Sequence, residues 1–159
     1  VKAYSSCVGE GPFTCEWFGE EAESLRQAGA EYGAATGRPR RVGPIDLVAT
    51  RYGVQIQGAT EIALTKLDVL SYLDKIPVCV AYEIDGERVD RFPIGVKLAK
   101  AKPIYEYLPG FHCDISGCRK VSDLPKEALD YVHYLEGAVG CRIKYVSVGP
   151  DRDAYIKMF

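Results

Sequence analysis

Ile76-Pro77-Val78-Cys79-Val80-Ala81-Tyr82-Glu83-Ile84-Asp85-Gly86-Glu87-Arg88-Val89 is the stretch that decides the fold. Ile76, Val78, Val80, Tyr82 and Ile84 fall on alternate positions, the period of a strand. Asp85-Gly86 supplies the pair of residues a tight hairpin needs, and Glu87 to Phe92 reads as the returning strand. Ile104 to Leu108 is a further expected strand, ending at Pro109-Gly110. Away from this hairpin, Ile62 to Leu67 is a short apolar run consistent with a buried strand. Arg142 to Val148 reads as the last strand, before Gly149-Pro150.

Helical spacing brackets these strands. From about Glu16, residues Phe18, Ala22, Leu25, Ala28 and Tyr32 form one stripe, with Glu20, Glu21 and Glu23 early and Gly33 placed to end it. A second helix is expected to open with Pro44 at its first position and Asp46 in its first turn, burying Ile45, Val48, Tyr52 and Ile56. Pro125 begins a third, with Leu129, Val132, Leu135 and Val139 on one side and Gly140 as its cap. The segment from Gly33 to Gly43 reads as loop, because Gly37 and Pro39 disfavour both helix and central strand. Helices alternating with apolar strands at both ends, and a hairpin between them, give an α/β fold with a small antiparallel annex. Residues 1–159 are expected to form a single domain, with no internal repeat or linker.

Composition excludes several classes. At 47% hydrophobic and 26% charged, the chain belongs with globular proteins. A net charge of -2 argues against nucleic-acid or membrane-surface binding, and no apolar run approaches the roughly 18 residues of a membrane span. The six cysteines, at 7, 15, 79, 113, 118 and 141, contain no C-x-x-C; reduced thiols of a cytoplasmic protein are the expected state. His112, Cys113 and Cys118 lie close in sequence, but zinc wants four ligands and no second pair stands out, so no metal ligand is expected. Val1-Lys2-Ala3-Tyr4 has no initiator Met and no N-cap; it reads as the interior of a longer chain.

Three constellations carry chemistry. Ala34 to Arg41 combines glycine, the Thr36 hydroxyl and several guanidiniums, which suits an anion-binding loop as well as it suits a solvated basic turn. Thr65-Lys66-Leu67-Asp68 ends an expected strand, and a carboxylate there can accept from the N1–H and 2-amino group of guanine while the lysine stem lies against the base. The motif looks like the N-K-x-D signature of GTPases with Thr in place of Asn, although four residues taken alone read more readily as an ordinary strand-end charge pair. Ser147-Val148-Gly149-Pro150 follows the last strand, a usual place for ligand contacts in α/β sheets, though such a segment taken singly is more often just a turn.

In order, Val1 to Tyr4, Val8 to Phe13, Gly33 to Arg38, Leu64 to Leu70, Tyr105 to Gly110, Asp114 to Gly117 and Ser147 to Arg152 resemble the adenylosuccinate synthetase family across the whole chain. The resemblance implies the C-terminal part of a P-loop-like ligase sheet, from an enzyme that joins IMP and L-aspartate at the expense of GTP in AMP biosynthesis. It implies GTP contacts from Arg40, Lys66, Leu67, Asp68, Ser147, Val148 and Gly149. Ala34, Ala35, Thr36, Gly37, Arg38, Pro39 and Arg40 would close over aspartate, and Val1 and Arg38 would meet IMP. Ala35 and Pro39 depart from the Thr and Arg that many members carry. The resemblance further implies magnesium and a homodimer. The phosphate-binding glycine-lysine loop and the catalytic Asp and His match nothing here, so the magnesium ligands are expected in an N-terminal part, no catalytic residue is expected in this chain, and the chain alone is expected to be inactive. The alternative is a free-standing guanine-nucleotide-binding module without catalysis.

Overall fold

The computed structural model describes residues 1–159. Its elements are β1 (Ser5–Cys7), α1 (Gly19–Gly29), β2 (Arg41–Gly43), β3 (Ile45–Asp46), α2 (Leu47–Gln57), β4 (Glu61–Leu64), β5 (Lys75–Ile84), β6 (Glu87–Val89), α3 (Val96–Lys100), β7 (Lys102–Pro109), α4 (Lys126–Val139), β8 (Arg142–Ser147) and β9 (Tyr155–Lys157). The architecture is mixed α/β, as expected, but the strands divide into three small sheets. β1 pairs antiparallel with β2. β5 is the spine of a second sheet, with β7 along one edge and β6 and the parallel β3 along the other. In the third, β4 runs parallel to β8, and β9 returns antiparallel beside it.

The hairpin forms as its sequence requires. Asp85 and Gly86 both adopt positive φ, the geometry whose twist matches the flanking strands. The alternation in β5 is broken once, because the register with β7 shifts between Cys79 and Ala81. An extra residue in one strand turns the following side chains to the other face. Ile76 and Val78 accordingly join the main core of 28 buried residues, while Cys79, Tyr82 and Ile84 join a separate cluster with Cys15 and Val48.

Several expectations on helix and strand limits are corrected. α1 stops at Ala30, which takes a left-handed conformation and donates to carbonyls of the last turn, so Gly33 is not its terminator. Tyr32 therefore lies beyond the helix, Phe18 precedes it and is exposed, and the buried face is Ala22, Leu25 and Gly29, with Ala28 turned to solvent. α2 starts later than expected: Ile45 and Asp46 pair with Val78 and Cys79 of β5, and Asp46 caps the helix by accepting from the Ala49 N–H at 2.9 Å. Of the expected buried stripe, Tyr52 and Ile56 are exposed.

Arg41–Gly43 is a strand, not loop. Its Gly43 packs so tightly that a Cβ would stand 1.8 Å from the Cys15 carbonyl oxygen. β4 buries one face only, Ile62 and Leu64, and ends before Thr65. β6 is shorter than the expected run to Phe92. Pro125 is the N-cap of α4, whose buried side includes Ala128 and Tyr131 besides Val132, Leu135 and Val139, with Leu129 half-buried. The strand β9 and the short α3 carry no clear period and lie outside the sequence reading.

Candidate functional site

Two parallel strands end side by side, with Leu64 of β4 in register with Val146 of β8. The chain leaving β4 turns at Lys66, which takes a positive φ of 61°. Leu67 then donates its N–H to the Ser147 carbonyl at 3.3 Å. Thr65 to Asp68 and Ser147 to Gly149 thus form one ledge at the C-terminal edge of the parallel pair, the usual ligand position in such sheets. Leu67 and Val148 are fully buried, so only their backbone can face a ligand. The Ser147 hydroxyl donates to the Gly149 carbonyl at 3.1 Å. On the other side of β4, Val1 to Ala3 run parallel to its end: the Thr65 N–H donates to Val1 O and the Ala3 N–H to Thr65 O, both at 2.9 Å.

Asp68 opens a short 3-10 turn on this ledge and makes no ion pair. One carboxylate oxygen, Oδ1, is buried without a hydrogen-bond partner. Burial pushes its pKa above the ordinary carboxylate range, assisted by the nearby Asp114 and opposed by its own backbone N–H and by Lys66. A desolvated acceptor with no donor is costly unless something supplies one.

The Lys66 ammonium is turned toward α1. It donates to the Gly29 carbonyl at 2.5 Å, at the electronegative end of that helix, and stands 3.5 Å from Glu31. The polypeptide from Gly33 to Arg38 closes on itself, through Gly37 N–H to Gly33 O and Gly33 N–H to Arg38 O, each at 2.8 Å. Its tip, Ala34 to Pro39, is exposed, and Arg38 forms no ion pair. Arg40 reaches back instead, donating Nη1 to Glu31 at 2.9 Å while its Nε is buried without a partner. Arg41, the last residue of the expected anion loop, is not free. It is forked onto Glu16 and donates to the Gly9 and Gly11 carbonyls, joining the turn before α1 to β2.

The residue that sequence reading missed is Glu31. It has no exposed surface and receives Lys2 at 2.8 Å, Tyr4 at 2.5 Å and Arg40 at 2.9 Å. Burial alone would raise its pKa, but the hydrogen bonds from Lys2, Tyr4 and Arg40 outweigh that and lower it to about 2. The only local sign was a lone acid beside Tyr32, the last residue of the expected helix stripe. None of the larger clefts is lined by Asp68 or by Ser147 to Gly149. The largest, ≈560 Å³, is lined by Arg51, Tyr52, Gln55, Asp90, Arg91 and Phe92 with Val48, none of them selected from sequence. Val1 lines two others, of ≈310 and ≈290 Å³. His112 reaches Asp74 at 2.9 Å and His133 faces solvent from α4, so neither joins the ledge.

A mixed α/β protein with an unsatisfied acid and basic groups at the ends of two parallel strands has the layout of the class whose ligands lie at a sheet edge. The family model described as adenylosuccinate synthetase matches residues 1–156. The chain is 52% identical over 157 residues to the adenylosuccinate synthetase of Aquifex aeolicus, covering 98% of this chain and 36% of that protein. It is 54% identical over 158 residues to the one from Bifidobacterium adolescentis, covering 99% and 37%. A solved structure described as fully ligated adenylosuccinate synthetase from Plasmodium falciparum superposes with a TM-score of 0.94 at 36% identity, over all of this chain and 39% of that one. The chain belongs to the adenylosuccinate synthetase family, and it spans a little over a third of the length of those relatives.

Proposed function

We propose that this chain is the nucleotide- and aspartate-recognising segment of an adenylosuccinate synthetase, a GTP-dependent carbon-nitrogen ligase converting IMP and L-aspartate to adenylosuccinate with release of GDP and phosphate. The observation that carries this is the buried, partnerless Oδ1 of Asp68 on the ledge beside Ser147. In this reading Asp68 accepts from the N1–H and 2-amino group of guanine, and the Lys66 stem supports the base. Leu67, Ser147, Val148 and Gly149 complete the ledge around the base, with Leu67 and Val148 contributing backbone only. Arg38, exposed and without an ion pair, is available to the aspartate carboxylates and the IMP ribose, and the backbone of Val1 also serves that ribose. Arg40 serves the aspartate and GTP phosphate side, where its unpaired Nε lacks an acceptor. Ala34 to Pro39 close over aspartate.

In the family's chemistry GTP phosphorylates the 6-oxygen of IMP and the aspartate amine then displaces phosphate. Magnesium takes oxygen ligands. The one group of metal-capable side chains here is Cys15, Asp46 and Cys79, which is fully buried and rich in sulfur. The Asp46 oxygens already accept from Ala49 and Tyr82. These residues do not fit magnesium. We read the chain as one domain, the C-terminal part of a P-loop-like sheet, acting in a cytoplasmic homodimer.

Inosine triphosphate, which lacks the 2-amino group, tests the assignment. Calorimetry or kinetics on the full-length synthetase carrying this segment should favour GTP, and Asp68→Asn should erase a preference of about a hundredfold. Equal binding of the two nucleotides by the unmodified protein would overturn the reading. Residues 1–159 alone, mixed with GTP, IMP, aspartate and magnesium, should give no adenylosuccinate; turnover would contradict the assignment of catalysis to the rest of the enzyme.

A further inference from the structure

Glu31 sits where no ligand contact was expected, yet it touches both halves of the proposed site. Its Oε1 accepts from Lys2 and Tyr4 and stands 3.5 Å from the Lys66 ammonium; its Oε2 accepts from Arg40. The backbone locks the same connection, since the Arg40 N–H donates to Glu31 O at 2.9 Å. The position is specified locally. Ala30 takes the left-handed conformation, and the Glu31 N–H then caps α1 on the Arg26 carbonyl at 2.8 Å, which turns the carboxylate inward. An L-residue with a Cβ adopts that conformation only at a cost, so the inward turn must be compensated by what Glu31 reaches.

The charges around it do not balance. Three cationic side chains, Lys2, Arg40 and Lys66, converge on one carboxylate, and each remains partly exposed while Glu31 is not. Against Glu31 and the nearby Asp68, which acts on both Lys66 and Tyr4, the three cations leave a net positive charge, and the buried Nε of Arg40 still lacks an acceptor. One buried carboxylate thus gathers three cations from separate segments, more than a single ion pair requires.

We infer that Glu31 is a positioning residue that holds Lys66 and Arg40 together, so that the guanine ledge and the aspartate loop are preset by one buried carboxylate. This rests on the reading of Lys66 and Arg40 given above. Because Glu31 touches neither ligand, it acts through those two side chains. Its loss releases both at once, so the two substrates they serve weaken in parallel. Bond making is untouched, and binding lost equally from ground and transition states raises KM and spares kcat.

The test is steady-state kinetics of Glu31→Gln in the full-length synthetase, with Asp68→Asn beside it. The expected result is a rise of about tenfold in the KM for both GTP and aspartate, with kcat within about twofold. The preference for GTP over inosine triphosphate should survive in Glu31→Gln, because Asp68 is intact, and vanish in Asp68→Asn. A rise in only one KM, or a lower melting temperature with both KM values unchanged, would overturn the positioning role. If Asp68→Asn keeps the GTP preference, the underlying guanine assignment is what has failed. Should Glu31→Gln not fold, Glu31→Asp retains the charge on a stem one methylene shorter; the same parallel rise, of about threefold, is expected, and unchanged KM values would refute the proposal.

Discussion

Two acidic side chains are buried in this molecule, Glu31 and Asp46, and they are accommodated in opposite ways. Asp46 lies in the interior of the annex. It accepts from the Ala49 N–H at 2.9 Å and from the Tyr82 hydroxyl at 2.5 Å, with the Cys15 and Cys79 thiols alongside. All its partners are neutral donors, and the group closes on itself. The Cys79 contact and burial drive the Cys15 pKa far upward, so that thiol stays protonated. Burial and the Asp46 carboxylate do the same to Tyr82. Glu31 is ringed by cations that still reach solvent. The first arrangement satisfies an acid for the sake of the fold. The second satisfies an acid and leaves charge over, which is what a site for anionic substrates requires.

That contrast is most severely tested at Asp46. Asp46→Ala removes the α2 cap and leaves the buried Tyr82 hydroxyl without its acceptor, losses of about 1 and about 2 kcal/mol. Urea denaturation should register a combined destabilisation near 3 kcal/mol by these estimates. A change below about 1 kcal/mol would mean that the closed cluster does not hold the annex.

A second test uses acid. The Glu31 pKa is lowered in the folded state, from an ordinary 4.5 to about 2. A depressed carboxyl contributes stability that is present above its unfolded pKa and lost as pH falls through its folded one. The ring of Lys2, Tyr4, Arg40 and Lys66 should therefore loosen between about pH 4.5 and pH 2. Melting temperatures of Glu31→Gln, measured across that window, should fall less steeply than those of the unmodified protein. Parallel curves would show that the cations do not favour the ionised form.

The ligand ledge was more legible in the sequence than either buried acid. Thr65-Lys66-Leu67-Asp68 and Ser147-Val148-Gly149 were each placed at a strand end by period and turn residues, and a parallel pairing of β4 with β8 is what brings them together. The hairpin was legible for the same local reason. The Glu31 ring was not, because its partners Lys2, Tyr4, Arg40 and Lys66 come from separate segments with no period relating them. Nor was the Cys15, Asp46 and Cys79 group, whose members come from a turn, a helix cap and a strand that no period relates. The stripe through Ile45, Val48, Tyr52 and Ile56 misled because Ile45 and Asp46 are claimed by β5 as a strand, which moves the start of the helix. In each case a tertiary contact outranked the local pattern.

The smallest expected effect on stability is also the one that separates fold from function most cleanly. Arg38 lies on the exposed tip that Gly33 and Gly37 close, forms no ion pair, and donates only its backbone N–H, to Thr36 Oγ1 at 3.4 Å. Replacing it with alanine removes a solvated guanidinium and no packing, so unfolding free energy should stay within about 0.5 kcal/mol of the original. If the surplus charge at the rim exists for substrate, the same variant should lose aspartate binding by about tenfold or more, the scale of a charged hydrogen bond. Arg41→Ala is the internal control, since that guanidinium is already forked onto Glu16 and serves the turn before α1. It should cost stability that Arg38→Ala does not. If Arg38→Ala destabilises as much as Arg41→Ala and leaves aspartate affinity unchanged, the exposed rim is part of the scaffold, and the distinction between closed and open acids fails at the position where it is easiest to see.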